Sequence, residues 1–170
     1  PLSPINVYAK TKADAETVVL QNSAALILRT NFFGFGRSWR PSFSDWIISR
    51  LQEGLSLHLF DDVYFSPIGL PSFLRILEEL CARDARGIYH LCGRERISKY
   101  DFGVRLAERV GFRADRISRS SVANHAFKAP RPLDMSMSVQ KLERDFAIIA
   151  PNVEESFDLL WAPRPLEAQI

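Results

Sequence analysis

The segment Ala25-Leu26-Ile27-Leu28-Arg29-Thr30-Asn31-Phe32-Phe33-Gly34-Phe35-Gly36 joins a short aliphatic run to a glycine-broken aromatic stretch. A run of this length with no polar alternation is the pattern of a strand covered on both faces, as in a parallel sheet. The stretch from Asn31 to Gly36 then reads as a loop at the strand's carboxyl end, which is where open α/β sheets bind ligands.

Reading outward, the residues upstream (Ile5, Tyr8, Lys12, Ala15, Val18, Val19) recur with helical period, and Asn22-Ser23 supplies a stop. Downstream, Ser42 to Gly54 reads as an amphipathic helix closed by glycine, Leu55 to Phe60 as a strand, and Leu70 to Asp84 as a helix with Pro71 in its first turn. Asp61 to Gly69 carries turn residues at both ends and a short extended piece between them. Gly87 to Cys92 reads as another buried strand, and Ser98 with Asp101 as the cap of a helix running to about Gly111. Arg116 to Ser120 suits a strand, Ala129 to Asp134 a stiff extended segment, and Val139 to Phe146 and Val153 to Trp161 two further helices before a proline-bearing tail from Ala162. Strands alternate with helices throughout, so the predicted class is α/β with parallel strands.

A chain of 170 residues, 46% hydrophobic and 25% charged, has the composition of an ordinary globular domain. The 22 basic and 20 acidic residues are spread along it, so no concentrated field points to nucleic acid or to a membrane surface. Nothing approaches the roughly 18 consecutive apolar residues of a membrane span. Cys81 and Cys92 lie in apolar company with no metal-ligand spacing, so both are expected to be buried free thiols, no metal is expected, and a cytoplasmic setting fits.

The chemistry-bearing pair is Tyr8 and Lys12, four residues apart on one helical face. A phenol is a poor acid or base at neutral pH, and a neighbouring cation favours its ionised form. The spacing alone is common on solvated helical faces, so the segments around it decide its weight. Phe32, Phe33 and Phe35 suit a core as well as a pocket, and Arg131 between two prolines suits a loop brace as well as a phosphate contact. Asp61 and Asp62 read as turn formers, and His58, His90 and His125 are scattered.

The order of these pieces resembles the extended short-chain dehydrogenases that act on nucleotide sugars, and most nearly the dTDP-4-dehydrorhamnose reductase family. The resemblance is carried by the Tyr8-x-x-x-Lys12 helix, the Leu28-Arg29-Thr30 strand end, the aromatic-glycine loop, Ser42-Phe43, the Asp61 to Pro67 loop, Gly87 to Leu91, and Arg131-Pro132 ahead of Lys141-Leu142. It covers Leu2 to about Leu160. It implies the C-terminal part of a Rossmann-like doubly wound parallel sheet with a small substrate-binding α/β subdomain, the whole chain 1–170 being one such half.

The implied activity is NADPH- or NADH-dependent reduction of a nucleotide-linked 4-keto-6-deoxy sugar. The implied roles are proton donation by Tyr8, a ribose contact by Lys12, cofactor contacts by Thr30 and Asn31, and substrate contacts by Phe32, Phe33 and Arg131. Two elements of the family pattern are missing. No Gly-x-x-Gly-x-x-Gly is present, and only Ser3 precedes Tyr8 where the family's catalytic Ser or Thr would stand.

The chain is therefore expected to be a piece of a longer protein, inactive without an N-terminal half, with a homodimer possible through its uncovered helix. The competing expectations are a nucleotide-sugar epimerase or dehydratase, and a non-catalytic binding or regulatory module of the same fold.

Overall fold

The computed structural model describes residues 2–161, and the tail from Ala162 lies outside them. In chain order the principal elements are α1 (Val7–Val19), β1 (Leu26–Arg29), β2 (Phe32–Phe33), α2 (Phe43–Gln52) and β3 (Leu57–Phe60). There follow β4 (Tyr64–Phe65), β5 (Ile68–Gly69), α3 (Leu70–Ala82), β6 (Gly87–His90), β7 (Ile97–Ser98) and α4 (Lys99–Arg109). The last are β8 (Ile117–Ser120), β9 (Asp134–Met135), α5 (Gln140–Phe146) and α6 (Val153–Leu160).

Caps set the helix limits. Asn6, Ser42, Ser98 and Asn152 each accept a backbone N–H at the start of α1, α2, α4 and α6, satisfying donors that have no intrahelical partner. Gly54 and Gly111, at φ 73° and 83°, follow α2 and α4 in the left-handed region that favours glycine.

The strands pair mainly in parallel, as the alternation predicts. β1 lies against β6 with Leu28 opposite Tyr89, and β3 against β8 with Leu59 opposite Arg119. β2 joins β5 in parallel, while β4 takes β7 antiparallel and β9 parallel. The expected buried strand, β1, is only half-buried along its length. The expected loop at Phe32–Phe33 is instead a two-residue strand, because Phe32 pairs with Ile68 and Phe33 with Gly69.

The two larger apolar clusters are built on different elements. One fills the space between β1, β6, α3 and α5 with Ile76, Leu80, Tyr89, Leu91 and Leu142. The other unites β3, β8, α2, α4 and α6 around Phe102, Phe157, Ile47, Leu57 and Leu106. The loop after β6 passes hard against the β4–β5 connection, where a Cβ on Gly93 would stand 2.1 Å from the Pro67 carbonyl oxygen. Cys92 is buried, and its thiol is pushed up to about 12 by burial. Cys81 is exposed, which corrects the expectation that both thiols are buried: it lies on the outer side of α3, away from Ile76 and Leu80.

Candidate active site

Helix α1 presents the expected pair. The Lys12 ammonium stands 5.7 Å from the Tyr8 ring centroid, and Tyr8 is 72% exposed. No residue of this helix is buried, so its position depends on polar ties. Glu16, one further helical step along the same face, takes a forked ion pair from Arg29 at the end of β1, at 2.9 Å and 2.6 Å. The hydrogen bond from Arg29 holds the Glu16 carboxyl below its ordinary value. At the other end, the Asn6 amide donates to the Pro130 carbonyl at 3.0 Å.

Removing the fork therefore loosens the helix that carries Tyr8 and Lys12. With Arg29→Met, amide exchange across α1 speeds up by about tenfold, the expected loss for one charge-assisted pair. The α4 amides keep their protection. Hydrogen-exchange mass spectrometry reads both, and unchanged protection in α1 would contradict the assignment of the tie.

The four residues after Arg29 diverge in role. The Thr30 hydroxyl is buried with no hydrogen-bond partner, an unused donor and acceptor at the strand's carboxyl end. Asn31 is spent on structure: its side-chain oxygen accepts from Ser66 N at 3.3 Å, and its amide donates to the Thr30 carbonyl at 3.2 Å. Phe32 is 59% exposed and leans on Phe73, with ring centroids 5.6 Å apart. Phe33 is 4% exposed and packs edge-on against Phe102 and Phe157. Phe33 is thus a core residue, which corrects its expected place as a substrate contact: the β2–β5 pairing turns it inward.

Two cavities meet at Arg131. The larger, about 890 Å³, is walled by Ser3, Asn6, Tyr8, Pro130, Arg131 and Asp134 among others. The smaller, about 360 Å³, is lined by Phe43, Trp46, Phe60, Phe127 and Lys99, with His58 at its wall. Arg131, Pro132 and Met135 belong to both. Both volumes fall within or near the range of small-molecule sites. Arg131 lies 5.2 Å from the Phe127 ring centroid, and neither it nor Lys99 has a carboxylate partner among the described residues.

Lys99 is the feature that sequence reasoning missed. Its ammonium sits 3.4 Å from the Phe65 ring centroid and 4.6 Å from that of Phe43, and burial pulls it down to about 8. One signal was available: a lysine in the first turn of α4 opposes the helix dipole.

Other candidates have structural duties. Asp62 caps the turn after β8 through Ser121 Oγ and Val122 N, and His90 Nδ1 lies 3.0 Å from the Ser138 carbonyl. No group of three or more potential metal ligands occurs among the described residues. No helix among them is long and apolar enough to cross a membrane.

Three groups here have the chemistry that a nicotinamide cofactor would need: the Lys12 ammonium, the Tyr8 hydroxyl and the orphaned Thr30 hydroxyl. Asn31 offers only what its structural bonds leave over.

The fold and this site define a Rossmann-like α/β class. The chain superposes with TM-score 0.82 on the crystal structure of dTDP-4-dehydrorhamnose reductase from Bacillus anthracis in complex with NADP, at 21% identity, covering 92% of this chain and 55% of that one. The chain belongs to the RmlD substrate binding domain family, whose model matches residues 1–163.

It is similar, at 28% identity over 164 residues, to the probable low-salt glycan biosynthesis reductase Agl14 of Haloferax volcanii, covering 94% of this chain and 55% of that protein. It is also similar, at 26% identity over 160 residues, to methionine adenosyltransferase 2 subunit beta of Xenopus laevis, covering 83% of this chain and 44% of that protein. The chain thus spans about half the length of the curated relatives it matches.

Proposed function

We propose that this chain is the substrate half of an NAD(P)H-dependent reductase that converts the ketone of a nucleotide-linked 4-keto-6-deoxy sugar, of the dTDP-4-dehydrorhamnose kind, to an alcohol. The observation that carries this reading is that Tyr8 and Arg131 wall one cavity, and that Arg131, Pro132 and Met135 also line an aromatic pocket. A sugar ring fits beside Tyr8, a diphosphate fits the guanidinium fork of Arg131, and a base fits among Phe43, Trp46, Phe60 and Phe127.

Bound beside Lys12 and Thr30, a reduced nicotinamide supplies hydride to the carbonyl carbon. Tyr8 gives its hydroxyl proton to the carbonyl oxygen, and the Lys12 ammonium stabilises the phenoxide left behind. Phe32, exposed at the end of β2, is the aromatic available to the sugar. The glycine-rich phosphate cradle and the remainder of the nicotinamide site belong to an N-terminal half of the longer protein, which also covers the apolar side of α1 formed by Val7, Val18 and Val19.

The test is turnover by the full-length protein given NADPH or NADH and dTDP-4-dehydrorhamnose, with the product analysed. Oxidation of the nicotinamide matched by the 4-hydroxy sugar is expected. An isomerised or dehydrated product with no net nicotinamide oxidation would assign an epimerase or dehydratase instead.

A second reading, a regulatory subunit that binds but does not reduce, is favoured by the similarity to methionine adenosyltransferase 2 subunit beta. The free Lys12 and the open face of Tyr8 weigh against it.

A further inference from the structure

Lys99 contradicts the usual rules for its residue type. Lysine is almost never sunk among apolar groups without a partner. Here the ammonium lies between the Phe65 and Phe43 rings at a cavity wall, with no carboxylate paired to it among the described residues. Aromatic faces recover part of the hydration lost by a cation, but they leave its charge uncompensated.

The lining contains no acidic residue and a second cation, Arg131. An aromatic slot with two uncompensated cations suits a ligand with a flat ring and two negative charges.

We propose that Lys99 determines the charge specificity of the aromatic cavity: its ammonium pairs with one phosphate of a nucleoside diphosphate while Arg131 pairs with the other. The inference rests on the sugar-nucleotide reading above and deepens it. Rings alone would hold a nucleoside, whereas Lys99 makes the diphosphate the part that is selected. A pair formed in an apolar, partly closed cavity is less screened by water than one on the surface, so the discrimination is large.

A pH signature follows from the geometry. Because burial pulls the Lys99 ammonium down to about 8, the empty cavity loses this cation as pH rises through that value. The anionic ligand holds the proton on, so affinity is flat from about pH 7, above the terminal phosphate's own titration near pH 6, to pH 8, and falls above that by up to about tenfold per pH unit. The other charged or titratable groups around the cavity are His58 on β3, Asp61 and Asp62 before β4, Arg131 on the neighbouring loop, Asp134 on β9, Arg119 on β8, and Tyr100 and Asp101 on α4 itself. All of them remain in a Lys99 variant, so a pH step lost with Lys99 belongs to Lys99.

The experiment is calorimetric titration of the full-length protein with thymidine diphosphate and, separately, thymidine. Lys99→Met is expected to weaken thymidine diphosphate by about 10- to 100-fold, the range for a hydrogen bond to a charged group, and to leave thymidine unchanged. It also removes the pH step. Lys99→Arg restores affinity at pH 7 and gives a flat profile, because a guanidinium keeps its charge throughout.

Equal losses for the two probes would reduce Lys99 to a packing residue and overturn the proposal. So would unchanged binding of the diphosphate in Lys99→Met. Failure of the unsubstituted protein to bind either probe would overturn the sugar-nucleotide reading as well, which separates the two failures.

Discussion

Tyr8→Phe in the full-length protein lowers kcat by about 10²- to 10⁴-fold, the usual contribution of a positioned acid or base. The substitution removes one oxygen and keeps the ring over which Lys12 stands. Tyr8 is 72% exposed and its helix buries nothing, so no folding cost confuses the result. Affinity for the sugar nucleotide, which the proposed function places at Arg131 and the aromatic cavity, is expected to stay close to that of the unsubstituted protein. A fall in kcat with nearly constant KM is the mark of an interaction made only in the transition state. Steady-state kinetics at saturating cofactor measures it. An unaltered rate would remove Tyr8 from the chemistry and favour the regulatory reading.

Phe102→Ala costs about 3–5 kcal/mol of folding stability, the range for truncating a fully buried Phe. Phe102 is 0% exposed and is the hub of an aromatic cluster, with ring centroids 5.1 Å from Phe33, 5.3 Å from Phe65, 5.7 Å from Phe157 and 5.9 Å from Phe43. The edge-on arrangement of the first two adds to the area term. Those neighbours belong to four different elements, so a void left at Phe102 cannot collapse by moving one of them. Against a typical total of about 5–15 kcal/mol, such a loss leaves little margin. Urea denaturation of the two proteins checks it, and a loss below about 1 kcal/mol would show that the cluster repacks. Because Phe43 also lines the aromatic cavity, weaker nucleotide binding is expected to accompany the loss.

What was legible in the sequence follows from how local each signal is. The helices were legible because period and caps lie within a few residues of one another, as at Ser42 and at Asn152. The two-residue strands were legible only in part: β4 falls in the extended piece read between Asp61 and Gly69, but β7 exists because Phe65 meets Ile97, some thirty positions away, and no alternation can show in so short a stretch.

The same limit governed the site. Tyr8 and Lys12 share one helix and could be paired by spacing. Phe32 and Phe33, adjacent and chemically identical, were separated only by the β2–β5 register, which points one outward and one into the core. Phe43, Lys99 and the Phe127 to Arg131 segment are three separate stretches, so the cavity they share could only be seen folded.

On the reductase reading proposed above, the bond from Asn6 to the Pro130 carbonyl would tie the placement of Tyr8 to the binding of substrate. Asn6 is the residue on which the helix of Tyr8 begins, its other side-chain atom holding Ala9 N at 2.8 Å, and Pro130 is covalently joined to Arg131. A diphosphate held by Arg131, as proposed, would therefore also steady the starting point of α1. The nucleotide part of the substrate, remote from the carbonyl, would on the same reading help to set Tyr8 in place. On that reading a free sugar would meet a tyrosine less firmly held, and part of the nucleotide's binding energy would be realised as rate rather than as affinity alone.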